Sequence, residues 1–139
     1  MGHILAVDDE LDMLTLIKMI IEGYSKHQVT TTNNPLEVAE LLNKEQFDLI
    51  ITDLKMPGMD GMELLDLAKR QDKDALILMV TAFGSLESAE EAVAKGAFDY
   101  ISKPFRKEQL LLAIDKAMRW REMALQNKEL KKRLEGDSP

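Results

Sequence analysis

The sequence predicts an α/β fold in which helices cover both faces of an open sheet of five parallel strands. Three observations lead to this prediction: five short strand-like runs, segments of helical spacing between them, and runs that are apolar throughout. Continuous apolar runs are typical of strands buried on both faces. Five βα units are too few for a closed eight-stranded barrel, so we expect a doubly wound sheet.

The five strand-like runs are spread over the first hundred residues. They read HILAV (3–7), HQVTTT (27–32), FDLIIT (47–52), ALILMV (75–80) and FDYIS (98–102). The chain has 139 residues, which suits one domain with a single well-buried core.

The segments between the strands carry helical spacing and start signals. The first helix is expected to bury one face, formed by Leu11, Leu14, Ile17, Ile20 and Ile21. Signals for the starts of the next two helices are Asn34 before Pro35, and Asp60 with Glu63.

The fourth and fifth helices differ in how much apolar surface they offer. The fourth is predicted to turn Leu86, Ala89, Val93 and Gly96 inward, and most of its inward positions are small. It should therefore be held weakly, as moving elements are. The fifth is expected to pack on the sheet through Leu111, Leu112 and their neighbours.

Composition and charge exclude several classes of protein. The net charge is −7, but residues 103 to 135 carry ten Lys/Arg against five Asp/Glu, which leaves −12 for the rest. An acidic body argues against direct nucleic-acid binding. The chain has no Cys and no apolar run near the ~20 residues that span a bilayer, so we expect a cytoplasmic protein without membrane contact.

Charged and hydroxyl side chains follow the predicted strands, and the carboxyl ends of parallel strands meet at one edge of a sheet. In chain order these residues are Asp8, Asp9, Glu10, Asp53, Thr81 and Lys103. Clustered carboxylates stay ionised only beside a cation, and hard oxygen ligands suit Mg²⁺.

This edge has the residue types for phosphoryl transfer to a carboxylate. Asp53 is the best candidate nucleophile because it stands alone at a central strand end, facing Asp8 and Asp9 as metal ligands. Lys103 and Thr81 would stabilise the charge on the transferring oxygens.

Four motifs, VDDE, DLKMPGMDGMELL, TAFGS and KGAFDYISKPF, together resemble the receiver domain of two-component response regulators over residues 4 to about 118. The resemblance implies a flavodoxin-like receiver fold and a phosphoacceptor, Asp53, that is served by a sensor histidine kinase. It implies that Asp8, Asp9, Asp53 and the backbone carbonyl of Lys55 hold Mg²⁺.

The resemblance further implies that Lys103 and Thr81 contact the phosphoryl group, and that Thr81 and Tyr100 form a switch pair. The bond between Lys103 and Pro104 is often cis in such relatives. A receiver is a regulatory phosphoacceptor, not an enzyme, although it promotes its own phosphoryl transfer and dephosphorylation.

The last part of the chain predicts a helix that continues past the receiver, unbroken over residues 106 to 134. Its residues at a/d spacing are Trp120, Met123, Asn127, Leu130 and Leu134. This rhythm favours a parallel two-stranded coiled coil and hence a homodimer. The predicted division is a receiver domain over 1–118, a helical coiled-coil linker over 119–135 and a flexible tail over 136–139.

Within the receiver family, these motifs with a helical linker most resemble the nitrogen-regulator class, which activates sigma-54 polymerase. Such regulators continue into an AAA+ ATPase domain and a DNA-binding domain, so this chain is expected to be a receiver with its linker from a larger activator. Two alternatives stay open. One is a stand-alone receiver that docks on a partner; the other is a Mg²⁺-dependent aspartyl-phosphate hydrolase, whose second Asp would lie where Lys55 stands.

Overall fold

The computed structural model describes residues 2–82 and 85–136, and its centre is one parallel sheet. The strands are β1 His3–Val7, β2 Gln28–Thr32, β3 Leu49–Thr52, β4 Ile77–Thr81 and β5 Asp99–Ser102. They lie in the order β2-β1-β3-β4-β5, and each neighbouring pair is parallel. The predicted fold class is therefore confirmed.

Five helices connect and flank these strands. They are α1 Leu11–Tyr24, α2 Val38–Lys44, α3 Gly61–Gln71, α4 Leu86–Ala94 and α5 Lys107–Gly136, with a 3-10 turn at Pro35–Glu37 before α2. The predicted start signals are confirmed in part by side-chain caps. The Asn34 side chain accepts a hydrogen bond from the Leu36 amide, and Asp60 accepts one from the Glu63 amide at 2.8 Å.

The sheet separates two apolar layers because alternate strand residues point to opposite faces. Ile4 and Ala6 of β1 face the layer built with α1 and α5, whereas Leu5 and Val7 face the layer built with α2, α3 and α4. Both layers contain fully buried aliphatic side chains. This double cover explains why the strands read as continuous apolar runs.

The predicted inward face of α4 is wrong in its phase. Leu86 is 78% exposed and Val93 is 55% exposed, while Ala92 is fully buried. The helix turns its serine and alanine side toward β5, where Ser88 Oγ lies 3.4 Å from Tyr100 Oη. The expectation that α4 buries little apolar surface is confirmed, because an alanine is its one fully buried residue among those described.

Two further positions differ from the predicted helix faces. Leu11 is exposed at the first turn of α1, and Leu112 is exposed on α5, where Leu110 and Ile114 enter the core instead. Leu11 lies at the edge of the apolar face of α1, whereas Leu112, two residues after Leu110, lies on the side of α5 that faces away from the sheet.

Helix α5 is unbroken over 30 residues, which confirms the predicted continuous helix. Its contact with the core ends at Arg121, and residues 122 to 135 are all exposed. At 1.5 Å per residue, the part of the helix beyond residue 121 is roughly 22 Å long. Gly136 of the predicted tail is its last residue, while residues 137 to 139 lie outside the described part. Among the described residues, no helix has the length and apolar character needed to cross a membrane.

Candidate functional site

The acidic edge predicted from the strand ends is present. Val7 of β1 and Thr52 of β3 are paired in register, so Asp8 and Asp53, which directly follow them, are neighbours. Oxygen atoms from Asp8, Asp9, Glu10 and Asp53 all lie within 4.8 Å of one another. Asp8 and Asp53 are buried while Asp9 and Glu10 are exposed, so the cluster has a buried floor and an open mouth.

Lys103 reaches into this cluster from the end of β5. Its Nζ lies 2.7 Å from Asp8 Oδ2, 3.0 Å from Asp53 Oδ2 and 3.7 Å from Glu10 Oε1. The Lys103 backbone is tied to the end of β4, because its amide donates to the Thr81 carbonyl at 2.9 Å. The Lys103-Pro104 peptide bond is cis, as the family resemblance implies.

The backbone orients both buried carboxylates. Asp53 Oδ1 accepts hydrogen bonds from the amides of Leu54, at 2.6 Å, and Lys55, at 3.4 Å, while Oδ2 faces Lys103. Asp8 Oδ1 accepts from the Glu10 amide at 2.9 Å. Each carboxylate therefore has one oxygen held by main-chain donors and one directed at the ammonium group.

Burial and the ion pair act in opposite directions on the pKa values of Asp8 and Lys103. Burial raises the pKa of the Asp8 carboxyl and outweighs the hydrogen bond from Lys103, which lowers it. Burial lowers the pKa of Lys103, but its hydrogen bonds to Asp8 and Asp53 outweigh burial, so the net shift is upward. Lys103 therefore stays protonated, and its single positive charge is smaller than the summed negative charge of the carboxylates around it.

The donor set fits a hard divalent cation. It consists of carboxylate oxygens alone, close enough to share one ion, and its open side leaves room for water and phosphate oxygens. One lysine cannot neutralise four acids, so a second positive charge would relieve their repulsion. Asp8, Asp9 and Asp53 are the residues that would hold such an ion, together with the predicted carbonyl of Lys55.

The two predicted switch residues lie on neighbouring strands. Thr81 is fully buried at the end of β4, at the same sheet edge as the acids. Tyr100 of β5 is partly buried against the layer that contains α4, and its hydroxyl approaches Ser88. Of the TAFGS motif, Phe83 and Gly84 lie outside the described residues.

The five predicted seam residues lie apart from the acidic edge, on α5. Trp120, Met123, Leu130 and Leu134 are each more than half exposed, and Asn127 is exposed as well. Only Trp120 has a described ring contact, with Phe98 at 6.3 Å between centroids. The structure thus separates the candidate chemical site from the predicted dimer seam.

Sequence reasoning missed two residues that shape the two ends of the domain. A Cβ atom at Gly61 would collide with the carbonyl oxygen of Asp53, so a glycine lets α3 begin against the site. Its signal was the Asp-Gly pair at 60–61. Arg121 is buried although it is charged, and its signal was the spacing, since it continues the buried face of Leu110 and Ile114 whereas Arg119 lies on the exposed side.

Comparison with known proteins identifies the class of protein that has this fold and this acidic site. The family model described as the response regulator receiver domain matches residues 4–115, and the chain belongs to this family. The chemotaxis protein CheY of Listeria monocytogenes is 35% identical over 117 residues, which are 84% of this chain and 98% of that protein. Membership in this family argues against the hydrolase alternative.

Longer regulators match as well. The response regulator protein PilR of Pseudomonas aeruginosa is 34% identical over 135 residues, 97% of this chain and 30% of PilR. The crystal structure of NtrX from Brucella abortus in complex with ATP superposes with a TM-score of 0.87 at 29% identity, covering 93% of this chain and 29% of that one. This chain thus spans about a third of the length of these regulators.

One matching structure describes an activated dimer. The solution structure of the beryllofluoride-activated NtrC4 receiver domain dimer superposes with a TM-score of 0.82 at 30% identity, covering 87% of this chain and 99% of that one.

Proposed function

We propose that this chain is the phosphoacceptor module of a two-component response regulator, and that Asp53 receives the phosphoryl group from a sensor histidine kinase. The observation that carries the proposal is the pair of contacts from Lys103 to Asp8 and Asp53 at the edge where four acids meet. Family membership supports the same role.

In the proposed transfer, a carboxylate oxygen of Asp53 attacks the phosphorus of a phosphohistidine. A P–O bond forms as the P–N bond breaks, and the leaving imidazole nitrogen keeps the electron pair and takes a proton from water. The amides of Leu54 and Lys55 hold the Asp53 side chain in position, and Lys103 stabilises charge on the phosphoryl oxygens.

Asp8, Asp9, Asp53 and the backbone carbonyl of Lys55 are proposed to hold Mg²⁺. When bound, this ion would supply positive charge beside the transferring oxygens. In this proposal the domain is regulatory and promotes its own phosphorylation and dephosphorylation. Thr81 and Tyr100 are proposed to transmit the conformational change on phosphorylation to α4.

The test of the phosphoacceptor is intact mass after incubation with a small phosphodonor, with and without Mg²⁺. We expect one added phosphoryl group in the presence of the ion and none in Asp53→Asn, which keeps the shape but loses the nucleophile. Asp60→Asn is the matched control, because asparagine also caps helices and Asp60 caps α3. Stoichiometric labelling of Asp53→Asn would overturn the assignment.

The proposed output is a homodimer formed through α5, in a larger activator of the sigma-54 class with AAA+ and DNA-binding domains. The seam supports the dimer because four of its five residues are apolar, all five are exposed, and beyond Trp120 it faces away from the side of α5 that packs on the receiver body. At 100° per residue, the direction of the seam residues lies roughly 140° around the helix from that of Leu110, Ile114 and Arg121. A partner could therefore bind without displacing the receiver.

Equilibrium sedimentation tests the dimer. We expect Leu130→Asp combined with Leu134→Asp to give monomers that still accept phosphate, because both leucines lie on the exposed distal part of α5, whereas Asp53 is buried at the end of β3. Gln126→Asp is the control, since it adds charge on the same exposed stretch outside the seam. A wild type that stays monomeric at hundreds of micromolar, with or without phosphodonor, would favour the stand-alone receiver instead.

A further inference from the structure

Arg121 is the one charged side chain of α5, among the described residues, that is buried: its exposure is 8%. It lies at the point where the helix leaves the receiver body, and the residues after it are exposed. A buried charge is costly unless it is paired, so its partners indicate what it does.

The partners of Arg121 come from two loops at the amino-terminal edge of the sheet. Its Nε lies 3.6 Å from Asp48 Oδ1, before β3, and its Nη1 lies 3.7 Å from Asp72 Oδ2, after α3. Nη1 also donates to the Asp74 carbonyl at 3.4 Å. Nε donates no hydrogen bond to the described residues, so its attraction to Asp48 is ionic.

Lys128 adds a second contact two turns further along the same side of α5. Its Nζ lies 3.1 Å from Asp74 Oδ2, and the hydrogen bond from Lys128 lowers the pKa of Asp74. The acidic groups are held in place before α5 meets them. Asp48 Oδ2 accepts from the His3 amide, and Asp72 Oδ1 accepts from the Asp74 amide, both at 2.9 Å.

We infer that Arg121 and Lys128 form an ionic clasp that fixes the direction in which the linker helix leaves the receiver body. The clasp agrees in sign with the charge asymmetry of the chain, since these two basic residues of the linker face acidic loops of the body. The inference concerns a single chain and does not depend on the proposed dimer. Its role is positioning, since neither residue approaches the acidic edge.

The clasp also joins the two ends of the domain mechanically. Helix α5 begins four residues after Lys103, at the acidic edge, and the clasp lies at the opposite edge. A helix held at both edges transmits a displacement as a rigid element, whereas a linker held only at its base would swing freely.

Distance measurements between two spin labels test the clasp directly. The chain has no native cysteine, so Met19→Cys and Arg133→Cys give one label on α1 and one near the end of the linker. A large excess of unlabelled protein removes distances between chains. We expect a narrow distance distribution that broadens roughly twofold or more in Arg121→Met, because the linker then loses its main contact with the body.

Three further variants distinguish the clasp from a general loss of structure. Lys128→Met, at the surface, should broaden the distribution less than Arg121→Met without unfolding the protein. Lys128→Glu combined with Asp74→Lys should restore the narrow distribution by reversing the pair. Arg119→Met is the matched control, since Arg119 pairs only with Asp115 on the exposed side of α5 among the described residues, and it should change nothing. Wild-type distributions in both Arg121→Met and Lys128→Met would overturn the inference.

Discussion

Replacing Lys103 with methionine removes the ammonium group that contacts both buried acids at the sheet edge. Methionine keeps the length of the side chain, so the change deletes charge and hydrogen bonds with little loss of volume. Both contacts of Nζ, to Asp8 at 2.7 Å and to Asp53 at 3.0 Å, disappear together. We expect a large loss of stability when Mg²⁺ is absent.

The size of the loss follows from burial. The Lys103 side chain is 7% exposed, and those of Asp8 and Asp53 are 3% and 1% exposed. Removing one partner of a buried ion pair costs about 3–5 kcal/mol, because the remaining charge is left buried and unpaired. For a domain of this size that is a fall in melting temperature on the order of 10 °C.

The stability lost in Lys103→Met should depend on pH, because Asp8 takes up a proton more readily in the folded state than in the unfolded state. Without Lys103, the pKa of Asp8 in the folded state lies further above its unfolded value of 3.8, where burial already places it. The folded state then binds more protons than the unfolded state above pH 3.8, so its stability rises as the pH falls. The deficit of Lys103→Met should be largest near pH 7 and shrink toward pH 4.

Urea unfolding with and without Mg²⁺ is the assay. The ion should restore part of the loss, since a ligand at 100 times its dissociation constant stabilises the native state by about 2.7 kcal/mol. Lys44→Met is the control: its pair with Glu40 is exposed, and exposed pairs contribute about 0–1 kcal/mol. If Lys103→Met is no less stable than Lys44→Met at pH 7 without Mg²⁺, the acids are not paired as described.

Two other predictions concern the output helix and the clasp. Thr81→Ala should still accept phosphate but transmit it poorly, so phosphodonor should change hydrogen exchange of residues 85 to 96 in the wild type and much less in the variant; equal changes would exclude the coupling. Lys128→Met should lower the free energy of unfolding by about 0.2–1 kcal/mol at pH 7. Because Lys128 lowers the pKa of Asp74 in the folded state, this difference should start to shrink near pH 3.8 and vanish once the pH is below that lowered pKa; a difference that persists in strong acid would contradict the pairing.

The acidic edge was predictable because it depends on one general property of parallel sheets. Strand ends can be recognised locally, where an apolar run gives way to polar residues, and their carboxyl ends share an edge. Asp8 and Asp53 could be placed together from this rule alone, and the register of β1 with β3 shows them adjacent. The choice of Lys103 as the cation followed from the same rule.

The helix faces were less predictable, for a different reason. Helix α4 has small residues on one side, and its few aliphatic residues do not form one apolar stripe. Spacing alone therefore assigned the wrong face to it. Packing of Ser88 and Ala92 against β5 decides the phase, and Leu86 is left in solvent.

By itself, the sequence determined the order of strands and helices, the edge where the acids meet and the length of α5, because each depends on local pattern or on a rule common to all parallel sheets. Only the tertiary structure decided that Lys103 binds Asp8 and Asp53 together, 95 and 50 residues away, and that Arg121 is buried among acids of two loops. Such contacts depend on distances between residues far apart in the chain: helical spacing puts Arg121 on the buried side of α5, but it does not identify the carboxylates that its guanidinium meets.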